Sequence, residues 1–198
     1  MVLNPYVLIL YYSRSGGTRN LATHVARGVD KVADVDVLIR TVPEVSTTTE
    51  RTSPPVPDAG AVYCSKEELA GCAGLALGSA TRFGNIAAPL KYFLDSTADL
   101  WMARALVGKP ACLFTSSASL HGGQETTLLS MMIPLLHHGM LIQGLPYAEA
   151  ALNETTTGGT PYGVSHWGHS GAELSDHEAT LATAAGFNLA QLVTKLNP

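Results

Sequence analysis

The chain has 198 residues, 46% of them hydrophobic and 14% charged, which is enough for one α/β domain with a full core and excludes a disordered protein. A net charge of −4, without any block of lysine or arginine, gives no electrostatic basis for nucleic-acid binding. No apolar run is longer than a strand, so no membrane span is predicted. Three scattered cysteines without C-x-x-C spacing favour a reducing cytoplasm and predict no zinc site.

Short apolar runs alternate with amphipathic segments along the whole chain. The predicted strands are residues 6–12, 35–40, 74–78, 111–115 and 140–145. The predicted helices are residues 18–31, 65–71, 85–97, 123–138 and 176–196. This alternation predicts a flavodoxin-like α/β fold, in which a doubly wound five-stranded parallel sheet of order 2-1-3-4-5 carries helices on both faces. We expect residues 1–198 to form a single domain.

The last predicted helix has a clear start signal, and two stretches do not fit the alternation. Ser175 is followed three residues later by Glu178, a capping box that would satisfy two backbone amides at the helix start. Residues 43–64 are rich in proline, threonine and serine, and residues 147–175 include several glycines and threonines. We expect both to be long loops, which in a compact domain are usually functional or held by a partner.

Three loops that follow predicted strands should converge. They read SRSGGT at residues 13–18, GSATRFGN at residues 78–85 and TSSASLHGGQE at residues 115–125. Parallel strands end at the same edge of a sheet, so these loops should face one crevice, where ligands of such folds bind. This constellation is the strongest functional signal in the sequence.

The first of these loops suits a terminal phosphate. Backbone amides at a helix start are unpaired and lie at the positive end of the helix dipole, so they bind phosphate well. Gly16 and Gly17 would let the backbone wrap closely, and the hydroxyls of Ser13, Ser15 and Thr18 would donate to phosphate oxygens. An ordinary helix cap with turn glycines is the alternative, and the sequence leaves both open.

Several competing motifs are missing from the sequence. There is no G-x-x-x-x-G-K-[ST], no G-x-G-x-x-G after the first strand and no G-x-S-x-G. Their absence counts against a nucleoside triphosphatase, a dinucleotide-binding fold and an α/β-hydrolase.

Other side chains have two interpretations each. Phe83 could lie against a planar ring or fill the core, and Arg82 could stack, bind a phosphate or cap a surface. The HHG run at residues 137–139 favours a helix C-terminal cap. His166 and His169 have H-x-x-H spacing, but no carboxylate partner is evident in their glycine-rich loop, so no metal site is predicted.

Taken together, the three loops resemble the FMN site of flavodoxins. The runs YYSRSGGT, GSATRFGN, FLDSTADLW, GGQETT, LLHHGM and GGTPYG further resemble, in order, the motifs of the WrbA family of FMN-dependent NAD(P)H:quinone oxidoreductases. The resemblance implies a homotetramer, a dimer of dimers, with FMN as cofactor and NADH or NADPH as co-substrate. It also implies a two-electron reduction of quinones to hydroquinones, in which a hydride is relayed through FMN by ping-pong kinetics.

The resemblance assigns site residues by position. Those implied to bind the cofactor are Ser13, Arg14, Ser15, Gly16, Gly17, Thr18, Thr81, Arg82, Phe83, Gly84, Asn85, Ser116, Ser117, Ala118, Ser119, Leu120, His121 and His137. Those implied to contact the substrate are Trp101, Phe83 and His137, with His137 reaching the site from a neighbouring subunit. No catalytic side chain is expected, because the flavin carries the chemistry.

Two departures from the family pattern concern this site. The family usually has a tyrosine where Ser15 stands, and that tyrosine helps to bind the nicotinamide nucleotide. The third loop has Ala118, Leu120 and His121 where the family has a glycine and threonine run, so His121 is a candidate contact for flavin or quinone. The alternatives that remain are a flavodoxin-type electron carrier and a non-enzymatic binding protein that has kept the fold.

Overall fold

The computed structural model describes residues 4–46, 57 and 60–196 of the chain. Its elements follow in this order: β1 (Tyr6–Tyr12), α1 (Gly17–Val29), β2 (Asp36–Thr41), α2 (Lys66–Gly71), β3 (Gly74–Ala80), α3 (Ala88–Asp95), α4 (Ala98–Met102), β4 (Pro110–Ser117), α5 (Gln124–His137), β5 (Leu141–Ile142), α6 (Ala150–Glu154), β6 (Val164–Trp167) and α7 (Asp176–Leu196). A short 3-10 turn, Gly168–Ser170, follows β6. Most of the predicted loop at residues 43–64 lies outside the described residues.

The strands form one parallel sheet in which the fifth position is filled by two strands in succession. The order is β2-β1-β3-β4, and β5 pairs with the beginning of β4, where Pro110 is opposite Leu141. β6 pairs with the end of β4, where Phe114 is opposite Val164. The predicted order 2-1-3-4-5 is therefore confirmed, with β5 and β6 sharing the outer edge.

The prediction that residues 147–175 form one long loop is wrong, because this segment contains α6, β6 and the 3-10 turn. β6 has no apolar run that the sequence pattern could detect. Ser165 and His166 are buried in it because their side chains are hydrogen-bonded, to a backbone amide and to a carboxylate respectively. The predicted strand at residues 140–145 is correspondingly shortened to Leu141–Ile142.

The five predicted helices are present, while the short helices α4 and α6 were not predicted. The predicted helix at residues 85–97 corresponds to the shorter α3, and α4 begins just after it. Thr97 lies between the two helices, with its buried hydroxyl donating to the carbonyl of Leu94. At the start of α7 the capping box is present, with the Glu178 amide 3.2 Å from Ser175 Oγ and the Ser175 amide 2.9 Å from the Glu178 carboxylate. Among the described residues, no helix combines the length and apolar character needed to cross a membrane.

Alternate residues of the central strand β1 face two separate cores. Val7 and Ile9 pack with α1 and α7, while Leu8 and Leu10 pack with α2, α3 and α5. Because both faces of the sheet are buried under helices, its carboxyl edge is a rigid support for the loops that follow each strand.

Candidate functional site

A cavity of about 750 Å³ opens at the carboxyl edge of the sheet. Its walls come from the loops after β1, β3 and β4 and from the turn after β6. The lining residues are Arg14, Ser15, Ala80, Thr81, Arg82, Phe83, Ser116, Ser117, Ala118, Ser119, Gly122, Gly168 and Gly171. The three predicted strand-end loops therefore meet at one cavity. A groove of about 870 Å³ between α1 and α7 is larger, but it lies away from these loops.

Part of the predicted site lies behind the cavity wall or away from it. The predicted residues that do not line it are Ser13, Gly16, Gly17, Thr18, Gly84, Asn85, Leu120, His121, Trp101 and His137. The first four form the loop and first turn of α1 beneath Arg14 and Ser15, which are exposed at the rim.

The first loop ends in a helix start that no side chain caps. Gly16 is the N-cap of α1 with a φ of 94°, a left-handed conformation that favours glycine, and it makes no side-chain capping hydrogen bond within the described part of the chain. The Thr18 hydroxyl is buried and has no hydrogen-bond partner among the described residues. The first turn contains no acidic residue. The ordinary side-chain cap is thus not formed, and the unpaired donors suit an anion.

Gly17 is in close contact with two other parts of the site. A β carbon at this position would lie 2.6 Å from Cδ2 of His166 and 2.7 Å from Oγ of Ser116. Since real β carbons do not approach other atoms so closely, only glycine lets the first turn of α1 sit against β4 and β6. The loop is closed by the Gly16 amide, which donates to Ser13 Oγ at 3.2 Å.

The second loop holds an aromatic ring at the cavity rim. Backbone hydrogen bonds between Arg82 and Asn85, at 2.9 and 3.0 Å, form a tight turn with Phe83 at its tip. Phe83 has a φ of 52° and a fully exposed side chain, so the interpretation that it fills the core is wrong. Gly84 packs on the start of α5, where a β carbon on Gly123 would lie 2.5 Å from its Cα. This contact fixes the turn relative to the third loop.

The ends of β3 and β4 are joined by hydrogen bonds beneath the cavity. The Thr81 amide donates to the Ser116 carbonyl at 2.9 Å, and the Thr81 hydroxyl lies 3.1 Å from that of Thr127. The amide, carbonyl and hydroxyl of Thr81 thus already have partners inside the protein, and these contacts fix the end of β3 under the cavity.

The third loop turns sharply after β4. The Ser117 hydroxyl donates to the Ser119 carbonyl at 2.6 Å, which places Ala118 and Ser119 on the cavity wall. Leu120 is half-buried and His121 is exposed, and neither lines the cavity.

Trp101 and His137 lie far from the cavity of their own subunit. α5 begins beside the cavity and runs back along the sheet for 14 residues, so its end lies about 20 Å away. There Trp101 Nε1 donates to the His137 carbonyl at 2.9 Å, and both side chains are exposed. The structure does not bring these two predicted residues to the other site residues within one chain.

The other residues of the HHG run end the helix. His138 is buried with its Nε2 3.0 Å from the Thr97 hydroxyl, and burial lowers the pKa of this imidazole. Gly139 follows with a φ of 77°. The capping interpretation is confirmed for His138 and Gly139.

A buried ion pair beside the first loop was not predicted from the sequence. His166 Nδ1 lies 2.8 Å from Glu178 Oε2, and each side chain is 1% exposed. His166 Nε2 lies 3.1 Å from the Gly171 carbonyl oxygen. The Glu178 carboxylate also accepts hydrogen bonds from three backbone amides, those of Gly158, Trp167 and Ser175. The interpretation that His166 lacks a carboxylate partner is wrong, because the partner lies on α7.

Hydrogen bonding decides the charge state of this pair. Burial alone would lower the pKa of His166, but its hydrogen bonds to Glu178 and to the Gly171 carbonyl raise it above the ordinary value. Burial alone would raise the pKa of Glu178, but the hydrogen bonds from His166 and from the backbone amides hold it well below its usual range. Both directions favour an imidazolium beside a carboxylate.

Comparison with known proteins gives one family and many full-length relatives. The family described as NADPH-dependent FMN reductase matches residues 5–152. The chain is similar to the NAD(P)H dehydrogenase (quinone) of Geotalea uraniireducens, with 41% identity over 96% of this chain and 98% of the relative. The protein of the same description from Syntrophobacter fumaroxidans is 40% identical with the same coverage of each chain.

Solved structures of similar fold cover nearly the whole chain. A WrbA-like flavodoxin protein from Agrobacterium tumefaciens has a TM-score of 0.68 at 19% identity, over 96% of this chain and 98% of the other. Oxidised flavodoxin 1 from Bacillus cereus has a TM-score of 0.60 at 16% identity, over 94% and 97%. These likenesses confirm the predicted flavodoxin-like fold.

Proposed function

The chain belongs to the family of NADPH-dependent FMN reductases, alongside bacterial NAD(P)H dehydrogenases (quinone), and we propose that it is an FMN-dependent NAD(P)H:quinone oxidoreductase. The resemblance to the WrbA family noted in the sequence is confirmed by these relatives. The observation that carries the proposal is the cavity at the carboxyl edge of the sheet, with an uncapped helix start on one side and the exposed Phe83 ring on the other.

The residues of this cavity fit FMN. The unpartnered Thr18 hydroxyl and the uncapped start of α1, which lie behind the cavity wall, suit its terminal phosphate. The volume of about 750 Å³ lies within the range of cofactor pockets. When bound, FMN supplies the redox chemistry, accepting a hydride from NAD(P)H and delivering two electrons to a quinone.

The protein's own contribution is binding and orientation. Phe83 projects from a rigid turn at the rim, where it can lie against a planar substrate ring. The described residues that line the cavity include no aspartate, glutamate or histidine, so no side chain there is placed to act as an acid or base. Because the Phe83 ring lies at this rim, nicotinamide and quinone would occupy the same slot beside it in turn.

The proposal is tested by following NADH and NADPH oxidation by the purified protein with benzoquinone, with and without added FMN. We expect FMN-dependent turnover and parallel lines in double-reciprocal plots, because one slot serves both substrates. Intersecting lines would mean that both substrates bind together. FMN binding without turnover would instead indicate an electron carrier, and no FMN binding would indicate a binding protein that has kept the fold.

We also propose a homotetramer whose subunits complete one another's sites. Three apolar side chains of α5 form an exposed stripe at helical spacing, Leu129, Ile133 and Leu136. This stripe continues to the exposed Trp101 of α4, which is joined to the end of α5. Because Trp101 and His137 are remote from the cavity of their own subunit, they could contact a substrate only in a neighbouring one.

We further propose a cytoplasmic location. Cys64, Cys72 and Cys112 are free thiols in the described part of the chain, and burial raises the pKa of Cys112 to about 12 and that of Cys72 to about 11. Free, unreactive thiols of this kind are typical of a reducing compartment.

A further inference from the structure

The buried ion pair points its positive end at the first loop. The Nδ1 edge of the His166 ring faces Glu178, while the opposite edge faces Gly17, where a β carbon would lie 2.6 Å from Cδ2 and 3.2 Å from Nε2. Gly17 is the first residue of α1. The imidazole thus lies between the carboxylate and the helix start that suits a phosphate.

Both ring nitrogens of His166 face hydrogen-bond acceptors. Nδ1 faces a carboxylate oxygen at 2.8 Å and Nε2 faces the Gly171 carbonyl oxygen at 3.1 Å. A carbonyl oxygen and a carboxylate oxygen are both acceptors, so a neutral ring would place a lone pair against one of them. A ring protonated on both nitrogens satisfies both acceptors, and two hydrogen bonds then fix its position.

Its burial shields this charge from the solvent and salt that screen the other cations near the loop. Arg14 and Arg19 are exposed, so solvent and salt screen them. His166 is 1% exposed, and its field reaches Gly17 through protein. The side-chain atoms nearest to Gly17 belong to His166 and Ser116, and of these two only His166 carries a charge.

We propose that the His166 imidazolium, held by Glu178 and the Gly171 carbonyl, supplies the buried positive charge by which the first loop binds the flavin phosphate and selects FMN over riboflavin. This inference rests on the proposed function, since it takes the flavin phosphate as the ligand of this loop. His166 acts here through its charge on the ligand, and Glu178 acts as a positioning residue that keeps the ring oriented and protonated.

A purely structural role makes a different prediction. Glu178 ties together segments 158–159, 166–167 and the start of α7, and His166 joins them to the first loop. If the pair served only to hold these segments, its loss would disturb the whole cavity and weaken every flavin equally. A charge acting on phosphate affects FMN and spares riboflavin, which lacks that group.

The test compares the binding of FMN and riboflavin to the full-length apoprotein by quenching of flavin fluorescence. His166→Gln keeps a donor for Glu178 but removes the charge. We expect its dissociation constant for FMN to rise about tenfold or more, with that for riboflavin unchanged. His177→Gln is the matched control. His177 also lies near a glutamate, with its Nε2 3.8 Å from the Glu154 carboxylate, but it is exposed.

Each other outcome is decisive. The inference would be overturned if His166→Gln raised the dissociation constants of FMN and riboflavin equally, or changed neither. It would also be overturned if the wild-type protein bound the two flavins equally well. Failure of the wild-type protein to bind either flavin would overturn the proposed function itself.

A second measurement does not depend on the variant folding. In nitrogen-15 NMR spectra of the wild-type apoprotein at neutral pH, we expect both His166 ring nitrogens to show protonated shifts, and the ring N–H signals to move on adding FMN but not riboflavin. A ring with one unprotonated nitrogen, or signals that respond equally to both flavins, would contradict the inference.

Discussion

At the scale of single residues, Ser15 places a small side chain at the cavity rim. Its side chain is exposed and lines the cavity beside Arg14, where the family usually has a tyrosine. We expect Ser15→Tyr to lower the KM for NADH or NADPH between about two- and tenfold, because a ring at the rim adds an aromatic contact with nicotinamide. Steady-state kinetics at saturating quinone measure this, with Ser15→Ala as the control. An unchanged KM for the nucleotide would show that this position makes no such contact.

The His166–Glu178 pair should make stability depend on pH. The pKa of His166 is raised on folding, so its contribution is complete below the unfolded value of about 6.5 and is lost as pH rises through the folded value. The pKa of Glu178 is lowered, so its contribution is lost as pH falls below about 4.5.

We therefore expect the difference in melting temperature between the wild-type apoprotein and His166→Gln to be largest between about pH 4.5 and 6.5, and to shrink as pH rises above that window. Thermal unfolding over a pH series measures it. His177→Gln should follow the wild type at every pH, and a difference for His166→Gln that stays constant with pH would show that the ring is not charged.

The part of the candidate site that the sequence could predict is the part formed by residues close together in the chain. Hydroxyls and glycines that follow a strand within six residues give a signal that can be read directly, and the loop at residues 13–18 forms as expected at the start of α1. The His166–Glu178 pair joins a strand to a helix 12 residues away and depends on burial that the sequence does not report. The capping box identified Glu178 as a helix cap. Only the fold shows that its carboxylate also accepts hydrogen bonds from the backbone amides of Gly158 and Trp167.

At the scale of elements, α1 and α7 are packed through two glycines. A β carbon on Gly28 would overlap the carbonyl oxygen of Thr183, and one on Gly186 would overlap that of Val25. Because both obstacles are backbone atoms, the helices must separate to admit a methyl group. We expect Gly28→Ala to lower the free energy of unfolding by about 1–3 kcal/mol despite the better helix propensity of alanine. Denaturant unfolding measures this.

The control for this prediction is Thr194→Ala on the exposed side of α7, which should change stability by about 0.5 kcal/mol or less. A Gly28→Ala protein as stable as the wild type would mean that the two helices are not held at this distance.

Elements with strong apolar periodicity were predictable, and those stabilised by polar contacts were not. β1 and α7 have the predicted bounds, since one is a continuous buried run and the other begins with a capping box. β6 was missed because its sequence, VSHW, is half polar and its central side chains are buried through hydrogen bonds. The short helix α4, which begins after Thr97, was not predicted because it has five residues and no buried apolar side chain.

At the scale of the whole molecule, the exposed stripe on α5 should decide both assembly and turnover. Ile133 is 59% exposed at the centre of the stripe, and a carboxylate placed there would be buried without a partner in an assembled protein. We expect Ile133→Glu to dissociate the proposed tetramer, as light scattering after size-exclusion chromatography would show.

The same variant should separate cofactor binding from turnover. The first loop lies at the other end of the subunit, so FMN binding should persist. The kcat/KM for the quinone should fall about tenfold, because Trp101 of the neighbouring subunit is lost. Gln191→Glu, an exposed change on α7, is the control for added charge. A dissociated protein with full quinone turnover would show that each cavity is complete within its own chain, and an undissociated one would place the subunit contact elsewhere.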